Sequence, residues 1–347
     1  MFFKKTVFVV GAGASKELGL PIGNELKDQI ARKLHITFPD GFNLGTGDRD
    51  IYNAVKLYLR SKGQSDGNPY WSAGRSIASA MPQAISIDNF MHTHYDDDKI
   101  VLMGKLAIAA SILEAERRSL IFADERQGNR HDFNTASGVW HNIFCKMLTE
   151  GIQRSTLPSL FENVSFISFN YDRCIEQYLA IWLENYMRLP ANEAQSIVNE
   201  LTIVHPYGQI GKLGWQTMGM VSVGYGENVQ PTSLFEVASN IRTFTEQVED
   251  ETVPELMRRL ITDAEQVIYL GFSFGAMNME LMKISEMGPP KKLYGTAHGI
   301  SRANLEVITQ HLARDMKVGK TPLLHSHFFE ASTCGTMLND YFRVLTD

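Results

Sequence analysis

Cysteine is scarce in this chain: three residues in 347, Cys145, Cys174 and Cys334, none of them in a C-x-x-C pair. So sparse and odd a set builds no disulfide framework, fits a reducing compartment and excludes a structural zinc held by four thiolates. Long apolar runs are missing too, and none reaches the ~18 residues that a membrane-spanning helix needs. The opening stretch, residues 1–10, has Lys4-Lys5 inside it and runs straight into Gly11, an order that suits a buried strand better than a secretory signal. A cytoplasmic chain that engages no membrane is therefore expected. Neither sign of charge dominates: 33 Lys and Arg face 39 Asp and Glu, for a net charge of -6. That balance gives no electrostatic reason for tight nucleic-acid binding by the chain as a whole, and none is expected. Internal repeats and low-complexity tracts are absent as well.

What is present is the composition of a folded globular protein, 44% hydrophobic and 21% charged, with length enough for one large domain or two ordinary ones. Apolar runs at 6–10, 164–169, 201–204, 266–270, 292–296 and 323–329 read as strands buried on both faces, and all but the third are followed by a helical pattern such as 173–184 or 301–314. The expected fold is α/β: a doubly wound, Rossmann-like parallel sheet of about six strands. Residues 34–160 break the alternation. They contain no convincing strand, and 90–120 carries Leu102, Leu106, Ile108, Ile112 and Leu113 at helical spacing. The chain thus divides into a Rossmann-like domain (1–33 and 161–347) and a mostly helical insertion (34–160) after the first βα unit. Within the insertion, 61–74 is polar and glycine-rich and reads as a mobile loop. A second interruption, 211–254, includes a short β-like stretch at 218–223.

The most informative local pattern is Val7-Phe8-Val9-Val10 followed by Gly11-Ala12-Gly13-Ala14-Ser15. A strand entering a glycine turn and then a helix brings backbone amides and a helix N-terminus close to a ligand, which suits a dinucleotide pyrophosphate. The same glycines also serve an ordinary tight βα turn. The pattern departs from the dehydrogenase fingerprint, because Lys16 stands at the third glycine position and no second strand ends in an acidic residue ~20 residues later. Hydride transfer is disfavoured on that ground.

Polar residues follow the other expected strands, where doubly wound sheets hold their ligands. They are Asn170-Tyr171-Asp172, His205-Pro206-Tyr207-Gly208 and Gly271-Phe272-Ser273. Together with the glycine turn, Gly19-Leu20-Pro21 and Ser168-Phe169-Asn170-Tyr171-Asp172, this order resembles the sirtuin family, and more closely its prokaryotic branch of sirtuin-like NAD hydrolases. Ser86-Ile87-Asp88-Asn89-Phe90 is similar to a helix-start segment of that branch. The resemblance covers the core strands, about half the chain, and skips the helical insertion. It implies NAD as substrate, with Asn170 and His205 as the catalytic pair. It also implies that Gly11, Ala12, Gly13, Ala14, Ser15, Pro21, Asp172, Gly271, Phe272 and Ser273 contact the nucleotide, and that no metal is needed. By the same resemblance the chain would work in a bacterial antiphage system, as a homo-oligomer or beside a regulatory partner of the ring-ATPase or Argonaute type. Three departures stand out. The zinc-binding cysteine quartet of the deacylating members is missing, Phe169 replaces a glutamine, and Pro206-Tyr207 separate the histidine from its glycine. The first two disfavour protein deacylation.

Cleavage of the nicotinamide–ribose bond expels a neutral leaving group, so the demand is for positioning and oriented dipoles more than for a strong acid. Asn170 has the donor and acceptor needed to orient ribose and water, and His205 offers an imidazole, the side chain suited to general-base work. Each has a plainer role open to it: Asn170 and Asp172 as a helix cap and first-turn acid, His205 as a turn residue. A non-catalytic NAD or ADP-ribose sensor that controls an assembly is the alternative function. Other clusters carry less. The run 92–98, with His92, His94 and Asp96-Asp97-Asp98, matches no metal spacing and reads as a solvated segment. Lys291-Lys292 and Arg258-Arg259 read as surface charge, and 277–287 as methionine-rich helix packing.

Overall fold

The computed structural model describes residues 1–124, 131–216, 221–249, 251–316 and 327–347. Its centre is one six-stranded sheet in the order β3-β2-β1-β4-β5-β6, parallel throughout. The strands are β1 (Thr6–Val10), β2 (Val164–Ser168), β3 (Thr202–Val204), β4 (Gln266–Leu270), β5 (Lys292–Thr296) and β6 (His327–Glu330). This is the α/β, Rossmann-like arrangement that the apolar runs predict. The expected strand at 323–329 lies in part outside the described residues, as does the β-like stretch at 218–223. Ser222 of the latter forms an isolated parallel bridge with Lys212.

The strands are apolar on both sides because both sides are covered. Along β1 the side chains alternate. Val7 and Val9 enter a core with Ile30, Ile167 and Tyr269, while Phe8 and Val10 enter a second core with Phe144, Phe166 and Ile268. The helices of the first half are α1 (Ala12–Ser15), α2 (Gly23–Leu34), α3 (Arg49–Ser61), α4 (Asn68–Ala80), α5 (Ile87–Thr93), α6 (Asp98–Arg118) and α7 (Trp140–Thr149). Those of the second half are α8 (Cys174–Tyr186), α9 (Ala191–Asn199), α10 (Pro231–Ser239), α11 (Phe244–Glu249), α12 (Thr252–Asp263), α13 (Ala276–Met282), α14 (Arg302–Asp315), α15 (Cys334–Asp340) and α16 (Phe342–Thr346). Helices α2, α3, α4, α6 and α10 pack into one layer, whereas α7 packs against α8 and α15 in the other core.

Two sequence expectations need correction. The loop expected at 61–74 is confined to 62–67, because α4 begins at Asn68 with Pro69 in its first turn and buries Trp71, Ala73 and Gly74. Proline suits that position, where its missing N–H would have no helical partner. In 277–287 only the first part is helical, α13 ending at Met282. Between residues 34 and 160 the helices dominate as expected, with a single isolated bridge, Thr37 to Thr46, among the described residues. No helix of the described residues is long and apolar enough to cross a membrane.

Candidate functional site

In a sheet of this order the chain direction of the connections reverses between β1 and β4, and ligands gather beyond the strands' carboxyl ends at that switch. The glycine turn and the 271–274 turn meet there by backbone packing. Gly11 N–H donates to Leu270 O at 3.0 Å and Gly13 N–H to Gly271 O at 3.0 Å. A Cβ on Gly11 would stand 2.7 Å from Gly271 O, and one on Gly271, whose φ is +56°, 2.0 Å from the Ala14 nitrogen. The three glycines are therefore required by their mutual approach, with or without a ligand. Ala14 N–H donates back to Gly11 O. Among the described residues Ala12, which is exposed, keeps the one amide at the head of this turn that is not bonded within the chain.

Across from the turn, β2 delivers Asn170. Its Nδ2 donates to Ser15 Oγ at 2.8 Å and to Gly11 O at 3.1 Å, which ties the two strand ends together. Among the described residues no donor meets its Oδ1. Asp172 is buried and accepts the Cys174 N–H at 3.1 Å, so it secures the start of α8. Burial pushes its carboxyl up, opposed by the Ser15 hydroxyl and by Cys174. Behind Asn170 stands His205, its side chain only 5% exposed. Its Nδ1 lies 3.1 Å from Asn170 O and its Nε2 3.2 Å from Glu176 Oε1. Both ring nitrogens thus face acceptors of the chain, and neither is turned toward open solvent.

The structure thus brings Gly11, Gly13, Ala14, Ser15, Asn170, Asp172, His205 and Gly271 into one constellation. The remaining predicted residues sit around it. Ser273 is exposed on the rim. Phe272 turns its ring into the core against Phe169 and Phe274, at centroid distances of 5.1 and 5.2 Å, leaving only its backbone for a ligand. Pro21 is buried after the glycine turn. Phe274 holds φ +56°, a conformation that costs a bulky residue energy and that concentrates at functional rims.

Several contributors carry no recognisable motif. Glu176 lies in the first turn of α8 among Cys174, Ile175, Tyr178 and Leu179, all buried. A carboxylate among so many buried apolar side chains needs a partner, and that mismatch is the signal that marks it. Burial pushes the Glu176 carboxyl up, but His205 outweighs it and holds the group below the usual range. Arg173 and Glu116, both 0% exposed, form a bidentate pair, with NH2 to Oε2 at 2.5 Å and Nε to Oε1 at 3.1 Å. Arg173 also donates to the carbonyls of Val223 and Gly224, so α6 and the 223–226 turn are clamped to the β2 end. The Ser86–Phe90 segment reaches the same rim. Asp88 accepts from the Tyr171 hydroxyl, and Asn89 approaches Met277. Glu17, just past the glycine turn, accepts from Trp140 N–H at 2.7 Å and Gly335 N–H at 3.0 Å, where α7 and α15 begin.

The weaker clusters prove structural. His92 Nδ1 pairs with Thr245 Oγ1 at 3.0 Å, and Asp97 caps α6. Among the described residues no three His, Cys, Asp or Glu side chains are grouped to hold a metal ion. Lys291, expected as surface charge, is buried: its ammonium donates to Thr262 O at 2.6 Å and Ala264 O at 2.9 Å. With Pro289 O at 3.5 Å a third carbonyl joins them; they replace part of the lost water, and burial still pushes the amine down. An open groove of about 790 Å³ lies at the opposite, amino-terminal end of the sheet, lined by Lys5, Thr6, Asn163, Thr202 and Asp263. None of the buried orphaned polar atoms of the described residues belongs to its lining, and it sits at the wrong end of the strands for this fold. No family model matches this chain, and no curated protein gives a significant match.

Proposed function

We propose that the chain is an NAD glycohydrolase, which cleaves NAD with water to nicotinamide, ADP-ribose and a proton. The observation that carries this reading is the convergence of the glycine turn and the Asn170 amide at the β1–β4 switch, with Asn170 Nδ2 bonded to both Gly11 and Ser15. That bonding fixes the amide plane and directs Oδ1, the free acceptor, as the atom to hold a ribose hydroxyl or the attacking water. The exposed Ala12 amide is the donor at hand for a diphosphate oxygen. Asp172, beside Ser15, supplies negative charge near the oxocarbenium character of the transition state. His205, with each nitrogen on an acceptor, acts in this reading by holding Asn170 in place rather than by taking a substrate proton. Service in a bacterial antiphage system, as an oligomer or under a partner ATPase or Argonaute, rests on the motif resemblance alone.

A second reading has one observation in its favour. His205 has no nitrogen free for substrate. A module that binds NAD or ADP-ribose without cleaving it, and signals through an assembly, needs none. Incubating the purified chain with NAD and following nicotinamide by chromatography separates the two. The glycohydrolase reading expects turnover that Asn170→Ala reduces by about a hundredfold or more while the variant stays folded. Ligand-induced thermal stabilisation without nicotinamide release supports the sensor, and full activity in Asn170→Ala removes the proposed site.

A further inference from the structure

Behind His205 no sequence motif follows, but the hydrogen bonds continue. The chain of contacts runs from Glu176 Oε1 to His205 Nε2 at 3.2 Å, from His205 Nδ1 to Asn170 O at 3.1 Å, and through the Asn170 side chain to Ser15 and Gly11. We infer that Glu176 is a positioning residue for the reaction proposed above: through His205 it fixes the Asn170 peptide and so the amide that faces the glycine turn.

Three features support this. First, both ring nitrogens face oxygens, and with Glu176 ionised, the form His205 favours, both bonds are made together when each nitrogen carries a hydrogen. A carboxylate at one end favours that form, and a ring so held cannot rotate. Second, Glu176 is 1% exposed and its Oε2 has no hydrogen-bond partner, a costly arrangement for a group that does nothing but fill space. The other charges acting on it are Lys212, from the segment after β3, and the neighbouring Arg173. Arg173 has its guanidinium on Glu116, and the Lys212 ammonium bonds Gln209 Oε1 at 3.3 Å. His205 is thus the one basic side chain in hydrogen-bond contact with Glu176 among the described residues. Third, the Asn170 peptide is otherwise weakly held, its N–H meeting Ser168 Oγ at 3.4 Å. The His205 bond is what anchors its carbonyl.

This inference rests on the glycohydrolase reading for its catalytic consequence, but its structural core does not. The test therefore uses two readouts on the full chain, wild type against Glu176→Ala and Glu176→Gln. In nitrogen-resolved NMR at neutral pH, the His205 ring, assigned with His205→Gln, should show hydrogen on both nitrogens in the wild type. Glu176→Ala should convert it to a single-hydrogen ring and shift the Asn170 side-chain amide, while Glu176→Gln, which keeps an acceptor oxygen, should leave the Asn170 amide near its wild-type position. In NAD turnover, Glu176→Ala should lower kcat by about tenfold to a hundredfold with KM changed by less than about threefold, and Glu176→Gln should recover much of that loss. An unchanged Asn170 amide in a folded Glu176→Ala overturns the inference whether or not NAD is cleaved. A shifted amide in a chain that does not cleave NAD overturns the glycohydrolase reading and leaves the positioning role standing.

Discussion

Two buried glutamates flank the end of β2, and they are treated differently. Glu116 has both oxygens saturated: Oε1 takes the Arg173 backbone and Nε hydrogens, and Oε2 takes Arg173 NH2 and the Gly226 amide. Glu176 has one oxygen on His205 and the other orphaned. The first pair is closed on itself, its partner permanently charged and planar, so it serves as a clamp between the insertion helix α6 and the sheet. The second is incomplete and leans on a single ring nitrogen. Closed pairs hold a site together; the unfinished one stands in the site.

Breaking the clamp should cost most. Glu116→Ala leaves a guanidinium buried without a counter-charge, and chemical denaturation should show a loss of about 3–5 kcal/mol. A smaller loss would mean that the two pairs are not as different as their bonding suggests. His141 sharpens the contrast from another side. It is a buried imidazole with neither nitrogen bonded, held by burial down to about 3. Because this lies below the ordinary histidine value of about 6.5, the unfolded chain takes up a proton that the folded chain refuses. Stability tied to it is complete above pH 6.5 and drains away as pH falls toward 3. His141→Phe should flatten the acid limb of a stability profile in that window by a few kcal/mol, whereas a profile that keeps its slope would show that other groups govern the limb. Glu176→Ala comes next, at about 1–3 kcal/mol, since the ring then keeps a single hydrogen and leaves one nitrogen unpaired rather than a bare charge. Asp172→Asn should change stability at neutral pH by less than about 1 kcal/mol, because the amide oxygen can still accept from Cys174. With its folded value raised by burial, wild-type Asp172 gains stability as pH falls through that value; the variant should lose this gain and no more.

The sheet was legible in the sequence because strands buried on both faces must be apolar throughout: Thr6–Val10 and Gln266–Leu270 stand as read. The loop expected at 61–74 failed where Gly74 and the polar residues masked a helix that Pro69 starts and Trp71 anchors. Within the site, Gly11, Asn170 and His205 were visible as motifs at strand ends. Their relation was not. That Gly13 and Gly271 need each other, and that His205 looks back at Asn170 rather than outward, follow from packing between residues far apart in the sequence, 258 positions in the first case and 35 in the second. Lys291 shows the same limit: a lysine pair reads as surface until three carbonyls are found around one ammonium.

The central claim is that a nucleotide lies between the glycine turn and Asn170, at the carboxyl end of the sheet. A crystal structure of the chain with ADP-ribose tests it most directly. The account predicts diphosphate density over the Ala12 amide with a ribose hydroxyl in hydrogen-bond reach of Asn170 Oδ1. Ligand bound instead in the groove beside Lys5 and Asp263, with the glycine rim bare, would contradict it.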